Sequence, residues 1–307
     1  MNARIGKLLA KLMPGKRWGV IAIPYLWMLL FFAIPFLIVL RISFSQRDQT
    51  SSPPYTPILE YIDNAVTMKL NLSHYVTLVT DSLYVEAYAS SLWIAAVSTL
   101  LALLIGYPMA YAISRLSPAA RNVALMLVVL PSWTSFLIRV YAWVGILKNN
   151  GLLNNLLIKI GLIDEPLKIL YTPLATYIGI VYCYLPFMIL PLYTNLLKHD
   201  HRLLEAAYDL GAKPWQAFLK ITLPLSRAGI IAGSMLVMIP AVGEYVIPEM
   251  LGGPDTLMIG RQLVNDFSSA TDWPRASAVA ISMLLLLLVP ILIFNRVQQR
   301  EMEGRLT

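Results

Sequence analysis

Apolar residues in this chain do not alternate along strands or recur as single helical stripes. They fill six long, nearly uninterrupted runs, at about 18–40, 88–113, 123–147, 174–197, 228–250 and 276–294. Each run is long enough, at ~1.5 Å per residue of helix, to cross the ~30 Å of bilayer hydrocarbon. The pattern predicts an all-α integral membrane protein of six transmembrane helices. The domain would cover 18–294, between an N-terminal segment 1–17 and a tail 295–307. Composition agrees: 58% of residues are hydrophobic and 13% are charged, against about 25% charged in soluble domains.

Charge orients these runs. Arg4, Lys7, Lys11, Lys16 and Arg17 precede the first run, and Arg115 and Arg121 sit between the second and third. Lys198, Arg202, Lys213, Lys220 and Arg227 lie between the fourth and fifth, and Arg296, Arg300 and Arg305 follow the last. These groups hold most of the 24 lysines and arginines, and they fall on one side of a six-span chain. The positive-inside rule then places both termini and the 198–227 loop in the cytoplasm. The net charge of +7 is thus a topology signal, and no nucleic-acid-binding motif accompanies it. The first apolar run is too long for a signal-peptide core and lacks a small-x-small cleavage site after it, so it reads as a retained span. Cys183 is the single cysteine, which excludes a disulfide framework.

The polar segments carry their own signals. Segment 41–85 faces outward and contains Pro53-Pro54-Tyr55-Thr56-Pro57, which cannot be regular helix. It reads as a folded loop lying on the spans, with Ser73 as a possible helix cap. Leu152, Leu153, Leu156, Leu157 and Ile160 fall on one helical face, as do Met258, Ile259, Leu263, Val264 and Phe267. Two amphipathic outer helices follow, either as a lip around a pathway or as a plug over it.

The loop 198–227 is the most specific stretch. Asp200 can cap a helix whose apolar residues are Leu203, Leu204, Ala207 and Leu210. Gly211 falls where a left-handed residue closes a helix, and Pro214 suits the first position of the next. Trp215, Phe218 and Leu219 give that second helix an apolar side before Leu223-Pro224 ends it. An ordinary helical hairpin would need no particular spacing. Here Glu205-Ala206-Ala207, Asp209, Gly211, Ile221, Leu223 and Pro224 fit the pattern E-A-A-x(3)-G-x(9)-I-x-L-P throughout. The loop resembles the cytoplasmic coupling loop by which the permease of a bacterial ABC importer docks on its ATPase. No G-x-x-x-x-G-K-[S/T] loop occurs in the chain, so nucleotide would bind a partner. His199 and His201 flank Asp200, but His74 lies across the membrane from them, so no set of three or four ligands forms. No metal site is expected. No H-E-x-x-H or G-x-S-x-G motif supports an intramembrane enzyme, so no catalytic residue is expected.

Glu244 is the acidic residue set deepest in a run, between Pro240 and Pro248. An ionised carboxylate at that depth costs roughly 2.5–3.5 kcal/mol, so such groups line polar pathways or pair internally. Both readings stand: a cargo contact with Tyr245 beside it, or an ion pair with Arg139. A carboxylate near aromatic rings suits a cationic cargo; Trp133 and Tyr141 are candidates in the third run, and Glu249 follows five residues after Glu244.

Nearly the whole chain resembles the polyamine ABC-importer permeases, most closely the putrescine-type subunit. The resemblance rests on 130–143 (LPSWTSFLIRVYAW), on Lys148-Asn149-Asn150-Gly151, on 243–249 (GEYVIPE) and on Leu251-Gly252-Gly253-Pro254-Asp255. It implies the type I ABC importer permease fold in a bacterial inner membrane. It also implies a second homologous permease subunit, an ATPase dimer that binds ATP and Mg, and an outer-side polyamine-binding protein. This chain would hold no cofactor and would form half of the pathway. Spermidine or another cargo is the first alternative. An ion-coupled secondary transporter is another, but it would not need the E-A-A loop and would often show internal repeats.

Overall fold

The computed structural model describes residues 17–303 except 63, 64, 201 and 255. The expected N-terminal segment up to residue 16, His201, Asp255 and the last four residues lie outside it.

Helix α1 runs from Arg17–Met28 through a wide turn, Leu29–Ala33, to Ile34–Ser43. A hairpin of β1 (Leu59–Ile62) and β2 (Ala65–Met68) follows, antiparallel with Leu59 opposite Met68. Next come α2 (Ser73–Thr80), α3 (Ser82–Arg115), α4 (Pro118–Val129) and α5 (Phe136–Leu147). Short α6 (Leu152–Lys159) leads to the long α7 (Pro173–Leu196). Then come α8 (Arg202–Asp209) and α9, which runs Pro214–Ala217, Phe218–Thr222 and Leu223–Leu225. The rest is α10 (Arg227–Val242), α11 (Val246–Leu251), α12 (Ile259–Val264) with a wide turn Asn265–Ser269, and α13 (Trp273–Glu303).

Among the described residues, four helices are long and apolar enough to cross a membrane unbroken, and two bent pairs bring the number to six if each pair is one span. The bends modify the expected spans. The run 123–147 is two helices meeting at 91°. Pro131 closes α4 in a tight turn, and the Thr134 hydroxyl donates to the Pro131 carbonyl at 2.8 Å. The run 228–250 stops at Val242 and restarts at Val246. The second bent pair joins α9 to α10 at 63°. The hydrophobic runs read through these points because a bend costs no apolar residue.

Helices α3, α7 and α10 form the core. Ala102, Ala110, Met188, Ile189, Leu192 and Val237 pack one part of it, and Ala95, Ile180, Cys183, Ala241 and Ile247 another. Small residues recur at the contacts, as membrane helices require, because lipid supplies no hydrophobic drive and backbones must approach closely. Helix α1 meets the rest of the chain through Ile34–Ser43 on α13, while Tyr25 to Phe32 face outward.

Segment 41–85 is folded, as expected, but it carries the β-hairpin, which the proline-rich start concealed. Asn71, not Ser73, caps α2: its Oδ1 accepts the Ser73 N–H at 2.8 Å, and Ser73 is the first helical residue. The α2 end of the segment is held by a buried polar cluster. Tyr84 donates to Asp266 at 2.8 Å, Gln262 donates to the same carboxylate at 3.0 Å, and Arg275 pairs with Asp272 at 3.1 Å. His74 is buried in α2, and burial holds its imidazole below the ordinary 6.5, with Asp272 opposing that shift and Arg275 adding to it.

Candidate functional site

Most of the predicted site residues fall in two regions, the α8–α9 hairpin near the end of α3 and the α10–α12 break toward its start. Tyr84 near its start touches Asp266, and Tyr111 near its end touches Phe218. At ~1.5 Å per residue these contacts are about 40 Å apart.

The first region is the hairpin α8–α9. The Asp200 carboxylate accepts the Arg202 N–H at 3.0 Å, which caps α8 as its sequence position suggests. Gly211 takes φ +81°, and the N–H of Ala212 returns to the Ala207 carbonyl at 2.9 Å. This is a left-handed helix closure, which β-branched residues resist. Lys213 donates its N–H to the Gln216 side chain at 2.9 Å and starts α9 at Pro214.

The motif divides between two faces. Glu205, Ala206, Asp209 and Gly211 are exposed, with Ala207 half-buried. Around them Leu203, Tyr208, Trp215 and Leu219 are exposed apolar groups, and Leu210 is 89% exposed. Ile221, Leu223 and Pro224 are half-buried on the inner side. Phe218 lies edge-on to Tyr107 at 5.7 Å and to Tyr111 at 5.9 Å, and the Ser226 hydroxyl shares a 2.7 Å hydrogen bond with Tyr107. A rigid hairpin is thus keyed into α3 on one side and presents an unpartnered surface on the other. The anchors Phe218, Tyr107 and Ser226 are not legible as a group in the sequence, because their contacts join distant segments.

The second region is the break between α10 and α11. Glu244 is 7% exposed. Its Oε1 accepts the N–H groups of Tyr245 at 3.1 Å, Val246 at 2.9 Å and Ile247 at 3.4 Å. Its Oε2 accepts the hydroxyl of Tyr184 on α7. Glu244 therefore caps α11, and Pro248, lacking an N–H, sits in the first turn where none is needed. The break also needs close approach from α12, since a Cβ on Gly260 would lie 2.5 Å from the Gly243 carbonyl oxygen.

The alternative pairing with Arg139 is not formed: both Glu244 oxygens have other partners. Arg139 instead places its guanidinium 5.6 Å from the Phe136 ring centre, and its Nε is buried without a hydrogen bond. Trp133 and Tyr141 are 76% and 68% exposed, and the partners of Glu244 are Tyr184 and the N–H groups of 245–247 instead. Tyr245 and Glu249 do meet, in the wall of an open cavity of about 500 Å³ between α11 and α12. Glu249 pairs there with Arg261, Nε to Oε2 at 2.6 Å. Arg261 gave no signal in the sequence, because the pairing crosses the Gly252-Gly253-Pro254 turn. Met258 and Ile259 at the start of α12 are buried, while Arg261 and Gln262 line the cavity. Among the described residues no group of three or more His, Cys, Asp or Glu is placed to hold a metal.

Residues 98–303 match the family described as binding-protein-dependent transport system inner membrane component. The chain is 39% identical over 286 residues to the spermidine/putrescine transport system permease protein PotB of Haemophilus influenzae, covering 92% of this chain and 95% of that one. It is 38% identical over 270 residues to PotB of Escherichia coli, covering 88% and 93%. Among solved structures, a bacterial alginate ABC transporter in complex with an alginate pentasaccharide-bound periplasmic protein aligns with a TM-score of 0.69 at 19% identity, over 92% of this chain and 93% of that one. The MetNI methionine ABC transporter aligns with a TM-score of 0.55 at 17% identity, over 71% and 95%.

Proposed function

From a chain that belongs to the binding-protein-dependent transport system inner membrane components, and is thus an ABC-importer permease subunit of type I fold, we infer a role in ATP-driven polyamine import. The observation that carries the energetic half of this reading is the α8–α9 hairpin. Glu205, Ala206, Asp209 and Gly211 form an exposed, rigidly closed face, anchored through Phe218 to a helix of about 50 Å. A separate ATPase dimer would press on that face, and the closure would pass through Tyr107 and Tyr111 into α3. ATP and Mg would reside in that partner. Both termini and the hairpin would be cytoplasmic.

The cargo half rests on the relatives and on the far cavity. The relatives' name couples spermidine with putrescine, so the narrower expectation of putrescine widens to both. Tyr245 and Glu249 supply the ring and carboxylate that an ammonium group would use. A sister permease would complete the pathway, and an outer-side binding protein would deliver cargo.

Uptake of labelled spermidine and of labelled putrescine into cells with and without this gene, with and without ATP depletion, tests the reading. Gene- and ATP-dependent uptake of either is expected. Uptake of both that is indifferent to the gene would remove the cargo assignment. Uptake that needs the gene but survives ATP depletion would remove the coupling role.

A further inference from the structure

The cavity between α11 and α12 contains one carboxylate and one guanidinium among its described lining residues, and they neutralise each other. At about 500 Å³ it lies within the ~300–1,000 Å³ range of small-molecule sites. Tyr245, Gln262 and Asn265 complete the polar part of the wall. The pair is half-exposed, at 33% for Arg261 and 43% for Glu249. Arg261 also has a second acceptor: its Nη1 donates to the Gly253 carbonyl at 3.3 Å. The guanidinium is therefore shared between a carboxylate it could release and a backbone oxygen that could keep it.

We propose that Arg261 is a built-in substitute for the cargo's ammonium group, compensating the charge of Glu249 in the empty pathway and yielding it to an alkylammonium. A free carboxylate here would attract any inorganic cation. A carboxylate already paired with a guanidinium is surrendered only to a cation that brings further contacts. An alkylammonium does so, because its stem reaches the Tyr245 ring and a second amine reaches the amide oxygens of Gln262 or Asn265. Exchange is feasible because a half-exposed ion pair contributes only about 0.2–1 kcal/mol. This inference rests on the polyamine-importer reading above.

The test uses the complex of this chain with its sister permease and ATPase in lipid nanodiscs, without the outer binding protein, so that affinity reports the permease itself. Labelled spermidine is titrated by equilibrium dialysis against wild type, R261Q, R261K, E249Q and the R261Q/E249Q double variant. R261Q should tighten binding about two- to fivefold, the range that releasing such a pair allows. E249Q should weaken binding, R261K should restore wild-type affinity, and R261Q should have no effect in the E249Q background. Unchanged or weaker binding by R261Q overturns the proposal, as does tightening that persists without Glu249. A drop in the thermal midpoint of R261Q with no change in affinity makes the pair merely structural and also overturns it. Absence of binding by wild type and R261Q alike does the same. ATP-driven spermidine uptake by the complete wild-type importer is the separate control: its failure removes the functional reading and this inference together, whereas its success with unchanged R261Q affinity removes this inference alone.

Discussion

The α8–α9 hairpin and the α10–α12 break are both interruptions between long helices, yet they are built in opposite ways. The hairpin closes on its own sequence neighbours: Asp200 on Arg202, Ala212 on Ala207, Lys213 on Gln216. Its backbone is largely satisfied locally, so its outer side chains are left over, and Leu210, Trp215 and Leu203 stand exposed. The break is closed by distant groups, with Tyr184 arriving from α7 and Gly260 from α12. There the charged residue is consumed by the architecture, and the neighbouring Tyr245 and Glu249 face the cavity. A locally complete motif keeps its apolar surface unspent, and that is what the proposed docking would use. A buried carboxylate with its acceptors filled is first a fold element, whatever its depth in the membrane.

The sharpest way to break this contrast is Gly211→Val. The space around Gly211 is open, but φ +81° is costly for a β-branched residue. Membrane content should be preserved while ATP-driven uptake falls by more than about tenfold, the effect of misplacing the hairpin by ~1.4 kcal/mol or more. Normal uptake at normal membrane content would show that the turn does not couple.

Glu244→Ala probes the other side. It leaves three N–H groups of α11 and the Tyr184 hydroxyl without their acceptor. Loss of a cap costs about 0.5–2 kcal/mol and an unpaired buried donor about 1–3 kcal/mol, so the thermal midpoint of the purified complex should fall by several degrees. Glu244→Gln keeps an acceptor oxygen and should lose less. If Glu244→Gln abolishes uptake with an unchanged midpoint, the carboxylate acts on cargo and the contrast drawn here fails.

Phe218→Ala tests the anchor. Two edge-to-face contacts worth about 0.5–1.5 kcal/mol each would go. ATP hydrolysis should continue while uptake per ATP falls several-fold. Equal losses of both would place Phe218 in assembly instead of transmission.

The smallest effect concerns pH at the end remote from the hairpin. Burial lowers the pKa of His74 and raises that of Asp266. The His74 contribution is complete above its ordinary value and is lost as pH falls below about 6.5 toward the depressed one. Asp266 runs the other way, its contribution being lost as pH rises from 3.8 through the raised value. Wild type should therefore lose more stability than His74→Gln between pH 7 and 5. Identical midpoint-versus-pH curves would show that His74 does not charge in that interval.

Much of the fold was legible because its causes are local. Long apolar runs specify helices in lipid regardless of their neighbours. Asp200, Gly211 and Pro214 each impose a backbone state within one or two residues. The bend at Thr134 and the break at Gly243 are less visible, since proline is common in membrane helices and usually only tilts them. The strands 59–62 and 65–68 are not legible, because neither alternates apolar and polar residues clearly and prolines dominate the segment before them.

The sequence alone determined that this chain is a helical membrane protein of the importer-permease kind and that residues 202–225 fold as a glycine-closed helical hairpin. Those features follow from hydropathy, caps and glycine geometry, which act over a few residues. Only the tertiary structure decided what each charged group does. It gave Glu244 to α11 and Tyr184, left Arg139 over Phe136, and set Arg261 against Glu249. A charge buried among helices takes whichever partner the packing brings within hydrogen-bond reach. That packing brings together residues as distant as 184 and 244, and no local pattern records it.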